Sequence, residues 1–408
     1  VYGNLLLKGF NWITTNPWIY ENTNIWRDDM LRELQCSIFR GGTSKGAFVM
    51  EEDLPENKEE RDQILLKIMG SPDQRQINGL GGAVSTTSKV AIISKETTED
   101  WDVNYTFAQV QIDKPFVSYA GNCGNISSAV GVFALENGLV EISAPITTVR
   151  VYNTNTKKII HEHIPTPNGE ITYEGEFSIS GVPGTGSKIE LEFLNPEGSF
   201  TGKLLPTGQT KDTLKIADYG DVEVSIVDAA NPLVYVKAAA IGFAGTETAA
   251  MIDADPANLV LLEKIRGEAA VKMGLADSWE EAATVTPGVP KMTIVSAAQD
   301  FITDSGKEIN AAEYDLSIRM MSMQKAHKTI ALTGALCTAA ACAIPGTIPN
   351  EVLGNENVKN ELVLGHSDGL ISVAMKYKNE DGKIKIESVS SHRTARKIMV
   401  GTVFYTQG

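Results

Sequence analysis

The chain has 408 residues, 42% of them hydrophobic, 21% charged and 7% aromatic, which describes an ordinary soluble globular protein and excludes whole-chain disorder or a collagen-like repeat. Its 36 basic and 51 acidic side chains give a formal net charge of −15. That balance opposes a broad phosphate-binding face, because nucleic-acid affinity rests on clustered Lys and Arg that displace counterions, so nucleic acid is not an expected partner. Length alone suggests two or three domains with proper cores.

Residues 1–29 carry Trp12, Trp18 and Trp26 with neither a helical period nor a signal-peptide pattern. They are expected to stand outside the fold as an extension; the alternative is an ordered aromatic arm over an apolar patch. Beyond them, runs rich in Val, Ile, Tyr and Phe read as strands. They are Cys36–Arg40, Ala47–Met50, Lys89–Ser94, Tyr105–Ile112, Thr148–Tyr152, Ile159–Ile164, Ile189–Phe193, Val222–Val227 and Leu233–Val236. Helices are expected over Lys58–Met69, Asn125–Glu136, Pro256–Met273 and Tyr314–His327, the first three closed by Gly or Asn-Gly. Most connections look like hairpins, which makes the class α+β with mainly antiparallel sheets. A turn cluster at Leu205–Thr210 places the domain boundary near Pro206.

Cys36, Cys123, Cys337 and Cys342 show no CxxC spacing and no His at zinc-site intervals. Neither a disulfide framework nor a metal is expected, and reduced thiols fit a cytoplasmic location. The charge-free stretch Thr329–Asn350 is broken by Pro345-Gly346 and reads as a buried helix rather than a membrane span.

Three segments carry chemistry. Arg40-Gly41-Gly42-Thr43-Ser44-Lys45-Gly46 supplies flexible backbone, two hydroxyls and two cations, a clamp for a carboxylate or phosphate or else a polar hairpin turn. Its order is not that of a Walker loop, and a strand follows instead of a helix. Further on, Thr86-Thr87-Ser88-Lys89 enters the apolar run Val90–Ile93. There the Lys89 ammonium either faces a cleft as a base in waiting or snorkels to water. Asn122-Cys123-Gly124-Asn125 sets a thiol and free N–H groups at a helix start, where a thiolate or a carboxylate is favoured. Much later, Thr333–Cys337 leads into a small-residue run Thr338–Ala343, a faint echo of the Cys123 segment. His327-Lys328, expected at a helix end, the turn Pro345-Gly346-Thr347, and Arg393 and Arg396 are further candidate carboxylate ligands.

Taken in order, Arg40–Gly46, Gly70-Ser71-Pro72-Asp73, Asn78-Gly79-Leu80-Gly81-Gly82, Thr87-Ser88-Lys89, Gly121–Asn125, His327-Lys328-Thr329, Ile344–Thr347 and Arg393–Arg396 resemble the PrpF / methylitaconate isomerase family, from about Met30 to Phe404. The resemblance implies the diaminopimelate-epimerase-like fold: two similar domains, each a mostly antiparallel sheet wrapped around a central helix, with the active site in the cleft between them. On this reading residues 30–206 form the first domain, with 392–408 returning to it, and residues 207–391 form the second. The implied chemistry is a cofactor-independent 1,3-allylic proton shift in an unsaturated di- or tricarboxylate such as 3-methylitaconate or 2-methylaconitate. It moves a C=C bond or changes its cis/trans geometry, and it needs a base, an anion-stabilising shell and an acid. By resemblance Lys89 carries the proton, Ser44 is its hydrogen-bonding or proton-relay partner, and Cys123 is a third catalytic candidate. Cys123 stands beside them, and Arg40, Thr43, Lys45, Ser88, Asn122, Gly124, Asn125, His327, Gly346 and Thr347 are candidate substrate contacts. In amino-acid epimerases of this fold two facing cysteines act as base and acid. Cys337 would be the second thiol here, although Thr338-Ala339-Ala340 departs from the Gly-Ser-Gly type of run that follows it there. A two-cysteine racemase or epimerase, and an accessory protein to an iron–sulfur hydratase, are the alternatives. A homo-oligomer is compatible with the chain.

Overall fold

The computed structural model describes residues 31–96, 100–380 and 382–406; the aromatic segment 1–29 lies outside the described residues. Most strands join one hydrogen-bonded network whose order of pairing repeats. In the first half Leu31–Gly41 and Ser44–Met50 form an antiparallel hairpin, Lys89–Lys95 lies parallel to the second of these, and Val103–Val110 lies antiparallel to Lys89–Lys95. The second half repeats this with Gly220–Ala229, Asn231–Lys237, Lys291–Ala297 and Leu316–Ser322. Each half then sends a buried helical segment along its centre, and three further strands follow: Ile146–Asn153, Lys158–Pro165 and Ile189–Leu194 in the first, Glu361–His366, Gly369–Glu380 and Lys383–Arg393 in the second. The halves join where Lys383–Arg393 pairs with Ile189–Leu194. Last, Ala395–Thr406 returns to pair with Leu31–Gly41 along its whole length.

Side-chain alternation explains the inner layers. Along Lys158–Pro165 the residues Ile160, Glu162 and Ile164 point inward while His161 and His163 point outward, as a two-residue period requires. The second central helix, Leu332–Ala343, is buried at every position; its alanines let strands approach on all sides. One core cluster runs through both halves, with Phe39, Phe48 and Phe133 from the first and Tyr235, Leu336 and Val389 from the second. Outer helices close the other sheet faces: Lys58–Met69 packs Leu65 and Ile68 against Val90 and Ile92, and Pro256–Lys272 packs Leu262 and Ile265 against Val234 and Ile294. Lys58–Met69 is bounded as the sequence indicates, by Asn57 accepting from the Glu60 N–H and by Gly70 at φ 78°, a left-handed position that glycine occupies without Cβ strain.

Three expectations are corrected. The region Tyr314–His327 is not a helix; it forms strands Leu316–Ser322 and Lys325–Ala326. Its strand period is hidden because both faces are buried, Leu316, Ile318 and Met320 in the shared core and Met321 in the outer one, with Ser317 donating to the Gly245 carbonyl and Arg319 Nη1 to the Ile318 carbonyl. The helix expected over Asn125–Glu136 is interrupted, as Gly124–Ser127 and Val130–Glu136. The second central helix starts at Leu332 rather than Thr338, which puts Cys337 inside it instead of at its mouth.

The Phe133 ring sits 6.2 Å from Phe39 and 5.8 Å from Phe48, between the helix and the first hairpin. Phe133→Ala should therefore cost about 3–5 kcal/mol, read as a lower denaturant midpoint in equilibrium unfolding; a loss under about 1 kcal/mol would show that this contact does not fasten helix to sheet.

Candidate active site

A cavity of about 110 Å³ lies where the two halves meet. Ser44 and Asn231 are the first residues of corresponding strands, and so are Lys89 and Lys291; all four line the cavity. Both central helical segments also start there. Their N-caps, Cys123 and Ala331, provide no side-chain hydrogen bond, so the first-turn N–H groups of each segment lack the usual capping oxygen. Cys123, Gly124, Ala331, Leu332 and Thr333 all face the cavity.

Lys89 is 8% exposed. Its Nζ donates to Gln109 Oε1 at 2.6 Å and stands 5.0 Å from the Phe107 ring centre. Gln109 is fixed in turn, its Nε2 donating to the carbonyls of Ser88 at 2.9 Å and Ser85 at 3.2 Å. Opposite, burial pulls the Lys291 ammonium down to about 8, helped by the charges of Lys89 and Arg266 and opposed by Cys123. Desolvation of a charged amine and a like charge nearby both favour the neutral form. Burial, followed by the charges of Lys291 and Lys89, also takes His327 down to about 4, so near neutral pH it is an uncharged ring whose Nδ1 accepts from the Thr329 N–H at 3.1 Å.

The wall beside Ser44 is braced by a turn. Asn125 Oδ1 accepts from Arg393 Nε at 3.0 Å and from the Thr43 N–H at 3.5 Å. A Cβ on Gly42, which has φ +51°, would come 2.2 Å from that same oxygen, so only glycine fits. Arg40 Nη1 donates to the carbonyl of Thr394 at 2.6 Å, to its hydroxyl at 2.9 Å and to the Gly42 carbonyl at 3.1 Å.

The structure thus brings Ser44, Lys89, Asn122, Cys123, Gly124, Asn125 and His327 together and leaves the other candidates elsewhere. Arg40 is spent on the turn. Thr43 lines a second cavity of about 420 Å³ together with Arg393, and Lys45 lines neither. Ser88 is buried, donating to the Val110 carbonyl at 2.8 Å and accepting from Gln76 Nε2 at 2.7 Å. Gly346 and Thr347 lie beyond the far end of helix Leu332–Ala343, about 18 Å along its axis from its start. There Thr347 accepts from the Asn350 N–H and donates to the Ala341 carbonyl.

Cys337 is fully buried, its thiol donating to the Val227 carbonyl at 3.4 Å, and burial pushes it up to about 12. The residue that corresponds to Cys123 in the second half is Ala331. Sequence reasoning missed Lys291, Asn231 and Gln109. The signal for Lys291 was present, since Pro290-Lys291 enters the apolar run Met292–Val295 much as Ser88-Lys89 enters Val90–Ile93.

Removing the neighbouring charge with Lys89→Met should raise Lys291 above its value of about 8, because the ammonium form then meets less repulsion. NMR titration of isotopically methylated lysines would show the shift; an unmoved Lys291 would mean that the two amines do not share a field.

The profile described as "PrpF protein" matches residues 31–406. The chain is 43% identical to the 3-methylitaconate isomerase of Eubacterium barkeri over 92% of this chain and 98% of that one. It is 38% identical to the 2-methyl-aconitate isomerase of Cupriavidus necator, over 91% and 96% respectively. A crystal structure of a methylitaconate-delta-isomerase superposes with a TM-score of 0.77 at 42% identity, covering 92% of this chain and 96% of the other. With matches of this extent, joined to a repeated α+β architecture whose halves meet at one lysine-lined cavity, the chain belongs to the PrpF family.

Proposed function

We propose that this protein is an isomerase that moves a C=C bond, or changes its cis/trans geometry, by a 1,3-allylic proton shift in a small unsaturated di- or tricarboxylate of the 3-methylitaconate or 2-methylaconitate kind, without a metal or organic cofactor. The observation that carries this reading is the pair Lys89 and Lys291, facing one cavity from corresponding strands, with two helix starts left uncapped beside them. Carboxylates of the substrate would supply the missing capping oxygens. The 3-methylitaconate and 2-methyl-aconitate isomerases among its relatives support the same class of substrate.

A carbon next to a C=C bond conjugated with a carboxylate loses a proton to give a dienolate, whose charge spreads onto the carboxylate oxygens. In its neutral amine form Lys89, with Ser44 at the start of the neighbouring strand, takes that proton into the nitrogen lone pair and becomes the ammonium. The C–H electron pair becomes the new C=C bond, the old π pair moves out to the carboxylate, and the Lys89 ammonium then gives its proton to the far allylic carbon, which restores the carboxylate and the neutral amine. Lys291 holds the dienolate charge from the opposite wall; at about 8 it remains mostly charged at neutral pH and gives up its proton just above it. Donors already oriented toward such charge stabilise it more than freely reorienting bulk solvent does. A two-thiol racemase would need a second sulfur at the cavity, and Cys337 is sealed in the core.

With 3-methylitaconate as substrate, Lys89→Ala should lose about 10²–10⁴-fold in kcat, the usual worth of a proton-transfer group, and Lys291→Met about 10²–10³-fold, that of an anion-stabilising donor. Cys337→Ala should keep near-wild-type turnover. A Lys89→Ala enzyme within about tenfold of wild type would remove lysine from the proton path.

A further inference from the structure

The outer face of the first half carries a cluster that the proposed reaction does not use. His161 and His163 are two residues apart on Lys158–Pro165 and leave the same face of the sheet, and Glu192 on Ile189–Leu194 is the register partner of His161. One donor atom from each of the three lies within 4.8 Å of the other two, and all three residues are half-buried. His163 Nε2 stands 3.8 Å from Glu192 Oε2.

The surroundings already orient these donors. His163 Nδ1 is hydrogen-bonded to Thr148 Oγ1 at 2.9 Å, which fixes the ring and turns Nε2 toward the carboxylate. Glu192 Oε1 accepts from Lys376 Nζ and from Ser388 Oγ, each at 2.8 Å, leaving Oε2 for the imidazoles. Burial works to raise the Glu192 carboxyl, but those two hydrogen bonds and the nearby positive charge hold it below the usual range. Burial likewise keeps His161 below its ordinary value, against the pull of Glu192. The adverse charge of Arg150 is met by Asp102, whose Oδ1 lies 2.6 Å from Nη2.

We propose that His161, His163 and Glu192 form a binding site for one divalent transition-metal ion of the zinc class, with water in the fourth tetrahedral position. Two imidazoles and a carboxylate with one open position match zinc. Bonds of about 2.0–2.2 Å bring the donors roughly 3.3 Å apart, a closure of an ångström or so that half-exposed side chains reach by χ rotation. Thr148, Lys376 and Ser388 act as the outer partners that orient ligands in such sites. The ion would clip two adjacent strands on the face turned away from the central helix.

The test uses the full chain stripped with chelator and titrated with Zn²⁺ by calorimetry and with Co²⁺ by absorption. The expected result is one equivalent bound, tetrahedral d–d bands for Co²⁺, a Zn²⁺-dependent rise in melting temperature, and no response to Mg²⁺. His161→Ala and His163→Ala should each weaken binding at least 100-fold and abolish the Co²⁺ bands, and Thr148→Val should weaken it about 10-fold, the lower end for an orienting partner. All three should keep isomerase turnover, which also shows that they fold. Wild-type protein that takes up no stoichiometric Zn²⁺, or binding that survives both histidine substitutions, would overturn the proposal.

Discussion

Two amines held in a cavity of about 110 Å³ repel each other, and the architecture can be read as what is needed to keep them there. Lys89 and Lys291 each open the third strand of their half, so neither can retreat without unpairing a strand that runs into a buried core. The repulsion lowers Lys291, which burial has already made reluctant to hold a proton. Burial, joined by the same two charges, keeps His327 neutral. A bound polyanion would reverse this balance by turning mutual repulsion into shared attraction, which is how a site with local positive charge operates inside a chain of net charge −15.

Preorganisation of the cavity comes from hydrogen bonds between protein groups around its wall. Arg393, buried and brought down to about 10 by that burial, fixes Asn125, and Asn125 receives the N–H of Thr43 next to Ser44. Arg40 ties the same turn to Thr394 just before the returning strand Ala395–Thr406. The two guanidinium groups therefore link the first hairpin, a central helix start and the strand that closes the first half's sheet. The missing caps at Cys123 and Ala331 complete the picture: stability is left unclaimed at both helix starts where a carboxylate would fit.

Much of this was legible in the sequence, and the rest was hidden for identifiable reasons. Alternating strands such as Lys158–Pro165 announce themselves because one face is wet. Leu316–Ser322 is buried on both faces, so its period vanished and a helix looked better. Glycines were informative where geometry is tight, as at Gly42, whose absent Cβ admits Asn125. The Cys123 and Cys337 echo misled, because a thiol near an alanine-rich run marks composition and not helix position; the true counterpart of Cys123 is Ala331. Gly346 and Thr347 belong to a helix-capping turn, which offers the same residue types as an anion cradle. Arg40 and Ser88 looked like ligands and are instead structural donors, a distinction that depends on partners far away in the chain. Lys291 shares the signature of Lys89, a lysine at the mouth of an apolar strand, but its strand was passed over, and the pairing of the two lysines appears only once the repeat closes on itself.

The central claim is that a carbon-bound allylic proton exchanges through this cavity. Proton NMR of the wild-type protein in D₂O, with 3-methylitaconate, 2-methylaconitate and proline offered separately, addresses it directly. The account predicts that deuterium enters the allylic position of an unsaturated carboxylate as its double bond shifts, with no exchange at the proline Cα. Exchange at the amino-acid Cα with unchanged carboxylates would contradict it.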